Sequence, residues 1–71
     1  MSVASEVYTR LGLEAVEAWT SLRNRYDDIK AAMKAARGEE MDKLLQEIQS
    51  IGSALNRIEE EAGIPASNRT S

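Results

Sequence analysis

Between residues 41 and 62 the apolar positions Met41, Leu44, Ile48, Ile51, Leu55, Ile58 and Ala62 recur at alternating steps of three and four. A helix turning every ~3.6 residues gathers such positions into one stripe, whereas a half-buried strand would need strict alternation. The preceding segment carries Ala15, Trp19, Leu22, Tyr26, Ile29, Met33 and Ala36 at similar spacing, with one stutter between Leu22 and Ile29. The two stripes are related. If a turn near Gly38 and Glu39 reverses the chain, Ala36 meets Met41, Met33 meets Leu44, Ile29 meets Ile48, Tyr26 meets Ile51, Leu22 meets Leu55, Trp19 meets Ile58 and Ala15 meets Ala62. Every layer is then apolar on both sides. The pattern therefore predicts an all-α fold, an antiparallel two-helix hairpin of coiled-coil type.

The punctuation places the ends. From Val3 to Ala36 there is no proline and a single glycine, Gly12, so helix one is expected over about 3–37. Arg37 and Gly38 supply a cation and a residue able to take the left-handed conformation at its end, with the turn at about 38–39. Glu39, Glu40 and Asp42 put negative charge at the start of helix two, expected over about 40–62, and Gly63, Ile64 and Pro65 close it. Residues 1–65 form one expected domain. Residues 66–71 are small and polar and are expected to be a disordered tail.

The chain has 71 residues with neither Cys nor His, so neither a disulfide nor the usual structural zinc sets can supplement a small core. No cofactor or metal site is expected. A second chain is the expected source of the missing burial. Leu11, Ala18, Arg25 and Ala32 recur at sevens beside the seam of helix one, and Leu45 and Gly52 flank that of helix two. Ala18, Ala32, Leu45 and Gly52 together make a shallow surface for close helix approach, and a homodimer forming a four-helix bundle is expected to use it. Arg25 on this stripe needs a carboxylate or an exit to water; it is expected to pair with Glu59 or another acid, or to contact a partner.

Val3, Val7, Tyr8 and Leu11 continue the apolar face of helix one beyond the reach of helix two, with Gly12 allowing a bend at the base of this overhang. Val7, Tyr8, Leu11 and Arg25 are the expected partner-binding residues, Tyr8 being the best placed exposed anchor. Carboxylate neighbours such as Asp27 with Asp28 and Glu59 with Glu60 and Glu61 are read as solvated faces or helix ends. No catalytic residues and no enzymatic activity are expected. Arg23, Lys30, Lys34, Arg37 and Lys43 gather toward the turn, but Asp27, Asp28, Glu39, Glu40 and Asp42 interleave with them, and the net charge is −3. Nucleic acid is therefore not the expected partner, and neither is an anionic membrane. With no long apolar run and no signal-peptide core after Met1, a cytoplasmic location is expected.

The layout of residues 15–62 resembles several families of small helical hairpins. Among them are the dimeric plasmid RNA-binding regulators of the Rop type, the short co-chaperones of flagellar and type III export systems, and small phage-encoded inhibitors of bacterial proteins. The function expected is that of a small non-enzymatic module that binds and masks or modulates another protein chain, as an inhibitor, adaptor or chaperone does. The alternatives are a Rop-like nucleic-acid-binding regulator and a structural assembly subunit. The seam carries its own test: Leu55→Asp or Ile48→Asp places an unpaired charge between the helices and is expected to abolish helical circular dichroism at 25 °C. Near-native melting of both variants would show the register to be wrong.

Overall fold

The computed structural model describes residues 2–70, and its chain forms three α-helices rather than two. Helix α1 spans Val3–Leu11, α2 spans Leu13–Met33 and α3 spans Glu39–Glu61. Ser2 caps α1, its side chain accepting from the Ser5 amide at 3.2 Å. The first expected helix is interrupted at Gly12, whose φ of 97° and ψ of −178° lie where only glycine is at ease. Its amide still bonds the Tyr8 carbonyl and its carbonyl still accepts from Val16, so one residue ends α1 and starts α2.

This bend removes the expected overhang. Helix α1 packs against both α2 and α3 instead of projecting past them. Val7 is fully buried, with Ala62 and Ile64, and Val3, Leu11, Ala15, Val16, Trp19 and Ile58 close around them. Burying Val7 contributes on the order of 1.5–3 kcal/mol, which exceeds the cost of the break if glycine occupies the corner. The apolar face of α1 is thus used within the chain.

Helices α2 and α3 run antiparallel, Trp19 lying beside Glu59 near one end and Arg25 beside Glu47 farther along. Helix α2 stops at Met33, earlier than expected. Its last amides bond carbonyls three residues back, Lys34 to Ala31 and Ala35 to Ala32, and this tightening lets Ala36 turn into the interface, where it is buried. Helix α3 ends at a glycine-terminated cap: Gly63, at φ 77°, donates to the Glu60 carbonyl and Ile64 to that of Glu59. Ile64 is thereby folded under the end of the helix and buried.

Burial is uneven along the molecule, which measures 41 × 21 × 17 Å. At the end closed by α1, the buried positions of α3 are Gly52, Leu55 and Glu59, followed by Ala62. Toward the turn, Ile29 and Ala36 are buried, and Leu22, Tyr26, Met33, Met41, Leu44, Ile48 and Ile51 are half-buried. The segment expected as a free tail instead turns at Pro65, forms a 3-10 turn at Ala66–Asn68 and returns to the body through Arg69 and Thr70. Since Gly12 is strained for any other residue, with open space around it, Gly12→Ala is expected to cost about 1–3 kcal/mol. A thermal melt followed by circular dichroism should fall by roughly 4–8 °C per kcal/mol for a domain of this size. An unchanged melting temperature would mean that the fold-back of α1 contributes nothing.

Candidate interaction surface

The residues expected to bind a partner separate into two kinds. The bend at Gly12 places Val7 in the interior and leaves Leu11 half-buried against the same cluster. Tyr8 remains outside at 57 % exposure, because it lies on the face of α1 turned away from Val7. Leu13, the first residue of α2, is 58 % exposed and belongs to neither apolar stripe of the heptad pattern, which is why it drew no notice in the sequence. Tyr8 and Leu13 thus flank the Gly12 corner as two large exposed apolar side chains.

Arg25 is also exposed, and its partner is Glu47 rather than Glu59. Its Nε donates to Glu47 Oε1 at 3.0 Å and its Nη2 donates to the same oxygen. With both side chains well exposed, such a pair is worth no more than about 1 kcal/mol. Of the residues expected at a dimer interface, Ala18, Ala32 and Leu45 are exposed, Leu45 at 39 %, whereas Gly52 is buried within the chain. Gly52 instead forms the floor of an open groove between α2 and α3, lined also by Tyr26, Ile48, Gln49, Ser53 and Asn56. Lys30 caps one wall, its ammonium 5.6 Å from the centre of the Tyr26 ring.

The feature that the sequence concealed is Glu59. Read as part of a solvated acidic run, it is fully buried. Its carboxylate accepts from the Trp19 indole N–H at 2.9 Å, from the Thr70 amide at 2.8 Å and from the Thr70 hydroxyl. That hydroxyl in turn accepts from Arg23 Nη1 at 2.9 Å, so a guanidinium lies one hydrogen bond beyond the acid. Arg69 secures the same segment, donating through Nε to the Ile64 carbonyl at 2.9 Å and through Nη1 to Asn56 Oδ1 at 3.4 Å. Among the described residues no buried side-chain nitrogen or oxygen lacks a hydrogen bond. A signal existed in the spacing: Gly52, Leu55, Glu59 and Ala62 follow steps of three and four, as a buried stripe does.

Of the basic residues gathered toward the turn, Arg23 pairs with an acid of the same chain, and Arg25 does so outside that group. Arg23 Nε lies 3.8 Å from Asp27, and Arg25 holds Glu47. No helix among the described residues is long and apolar enough to cross a membrane. No protein-family model, curated protein sequence or solved structure matches this chain. Since the Arg25–Glu47 pair is solvent-exposed, Arg25→Ala is expected to change stability by less than about 1 kcal/mol in chemical denaturation. A loss of several times that would make the pair part of the folding core.

Proposed function

We propose that this protein is a small non-enzymatic interaction module that binds another protein chain and masks or modulates it, in the manner of an inhibitor, adaptor or chaperone. One observation carries the reading: a body whose core is closed at one end keeps Tyr8, Leu13 and Leu45 exposed and leaves the α2–α3 seam half-open toward the turn. Tyr8 and Leu13, close together at the Gly12 corner, are apolar surface that a partner can bury. An aromatic anchor such as Tyr8, with few rotatable bonds, loses little entropy when it docks.

Two surfaces divide the work in this reading. The half-open seam, with Ala18, Ala32 and Leu45 beside it, serves a second copy of the chain, completing a four-helix bundle by C2 symmetry. The Gly12 corner, with Tyr8 and Leu13, serves the foreign partner. The acids Asp27, Asp28, Glu39, Glu40 and Asp42 interleaved with the basic residues near the turn, and the net charge of −3, favour this over a nucleic-acid regulator.

Sedimentation at micromolar concentration is expected to give the mass of two chains, and co-purification from the native host is expected to yield one stoichiometric protein. Tyr8→Ala should abolish that capture while leaving helicity and dimer mass intact, because Tyr8 lies outside the core. Leu11→Ala should lower the melting temperature instead, because its side chain packs on the Val7 cluster. Capture unaffected by Tyr8→Ala would remove the Gly12 corner as the binding surface. Salt-dependent binding of RNA or DNA would replace the reading with a nucleic-acid regulator, and ordered assembly beyond a dimer would replace it with a structural subunit.

A further inference from the structure

The segment after Gly63 touches the body at its two ends and arches away between them. Ile64 is buried; Pro65, Ala66, Ser67 and Asn68 are exposed; Arg69 and Thr70 are half-buried where they return. The second foothold is made entirely of hydrogen bonds, from Arg69 to the Ile64 carbonyl and Asn56, from Thr70 to Glu59, and from Arg23 to Thr70. Little apolar area holds it. What it covers is unlike the rest of the interior, for beneath Thr70 lies a fully buried carboxylate bonded to an indole N–H. When Thr70 lifts, water can satisfy the freed oxygen of Glu59 at once, so detachment leaves no orphaned buried group.

We propose that residues 65–70 are a reversible strap, anchored at Ile64 and latched by Thr70 on Glu59, which opens and closes over one end of the α2–α3 groove while the helices stay folded. Asn56 places the strap on that groove, since it accepts from Arg69 and also lines the open stretch beside Tyr26, Ile48 and Gly52. In the closed state the chain's own Thr70 occupies the Glu59 site. In the open state the Glu59 carboxylate stands uncovered, with the Trp19 indole N–H still bonded to it. Gain and cost are balanced by kind: a few hydrogen bonds are set against the backbone freedom of about the same number of residues, the condition under which a segment populates both states.

Trp19 is the only tryptophan and donates to Glu59 itself, so its fluorescence reports the latch directly. In the intact protein, amide exchange at Thr70 is expected to be slowed about 3- to 30-fold relative to the unfolded chain, and far less than at Leu55. Thr70→Ala should raise acrylamide quenching of Trp19 by roughly twofold with unchanged far-ultraviolet helicity, and Thr70→Ser, which keeps the hydroxyl, should return it to the native value. Exchange at the unfolded rate would mean that the latch does not close. Protection equal to that of Leu55, or loss of helicity in Thr70→Ala, would make the segment a fixed part of the core. Since the Thr70 amide keeps its bond to Glu59 in Thr70→Ala, Arg69→Ala is combined with it, and quenching unchanged in the double variant would show that the segment does not cover the Glu59 site. Each of these results overturns the strap.

Discussion

Two packed helices have only one shared face, and a chain of this length cannot enclose a core between them without a third wall. That wall is made by turning the chain at Gly12, where φ of 97° and ψ of −178° end the first helix after Leu11 and lay α1 across the open end of α2 and α3. The cluster of Val7, Ala62 and Ile64 follows from the turn. Val7 can enter the cluster with Ala62 and Ile64 only if α1 doubles back, and Trp19 and Ile58 gain cover on a side that a straight helix would have left to water.

The same turn sets the polarity of the molecule. One end is closed by α1, by the glycine cap at Gly63 and by the returning residues Arg69 and Thr70. The other end, from Leu22 and Tyr26 to the 34–38 connection, has two walls and stays half-open. Large apolar side chains stay outside where packing is incomplete or where they fail to fit inside: Leu45 beside the seam, and Tyr8 and Leu13 at the Gly12 corner.

Periodicity made the helical class legible, since the stripes of Trp19 to Met33 and Met41 to Ala62 admit no strand reading. Three other features escaped for identifiable reasons. A glycine within a helical pattern costs about 1 kcal/mol and is often tolerated, so Gly12 alone could not distinguish a bend in an overhang from a fold-back that reassigns Val7 and Leu11. Glu59 sits among three consecutive acids, a composition typical of solvent, although its spacing from Leu55 and Ala62 is that of a buried position. The polar residues after Pro65 look free because their partners, Asn56, Glu59 and Arg23, are distant in sequence or hidden by their own context. In each case a long-range contact overrode a local composition signal.

Glu59 shows what such an override achieves. A buried carboxylate contributes little to stability unless its hydrogen bonds are met, and a hydrophobic residue there would pack with less penalty. What it supplies is specification, because only one arrangement brings the Trp19 indole and Thr70 to it together. Bonds to a charged group are worth about 1.5–3 kcal/mol each, while fixing each backbone residue costs about 1–2 kcal/mol. The few bonds that hold Arg69 and Thr70 therefore fall close to the cost of ordering residues 65–70, whereas the Val7 cluster, held by apolar burial, lies well clear of that balance. The molecule thus combines an apolar end held by burial with a polar segment, Arg69 and Thr70, held beside it by hydrogen bonds to Glu59, Asn56 and Ile64.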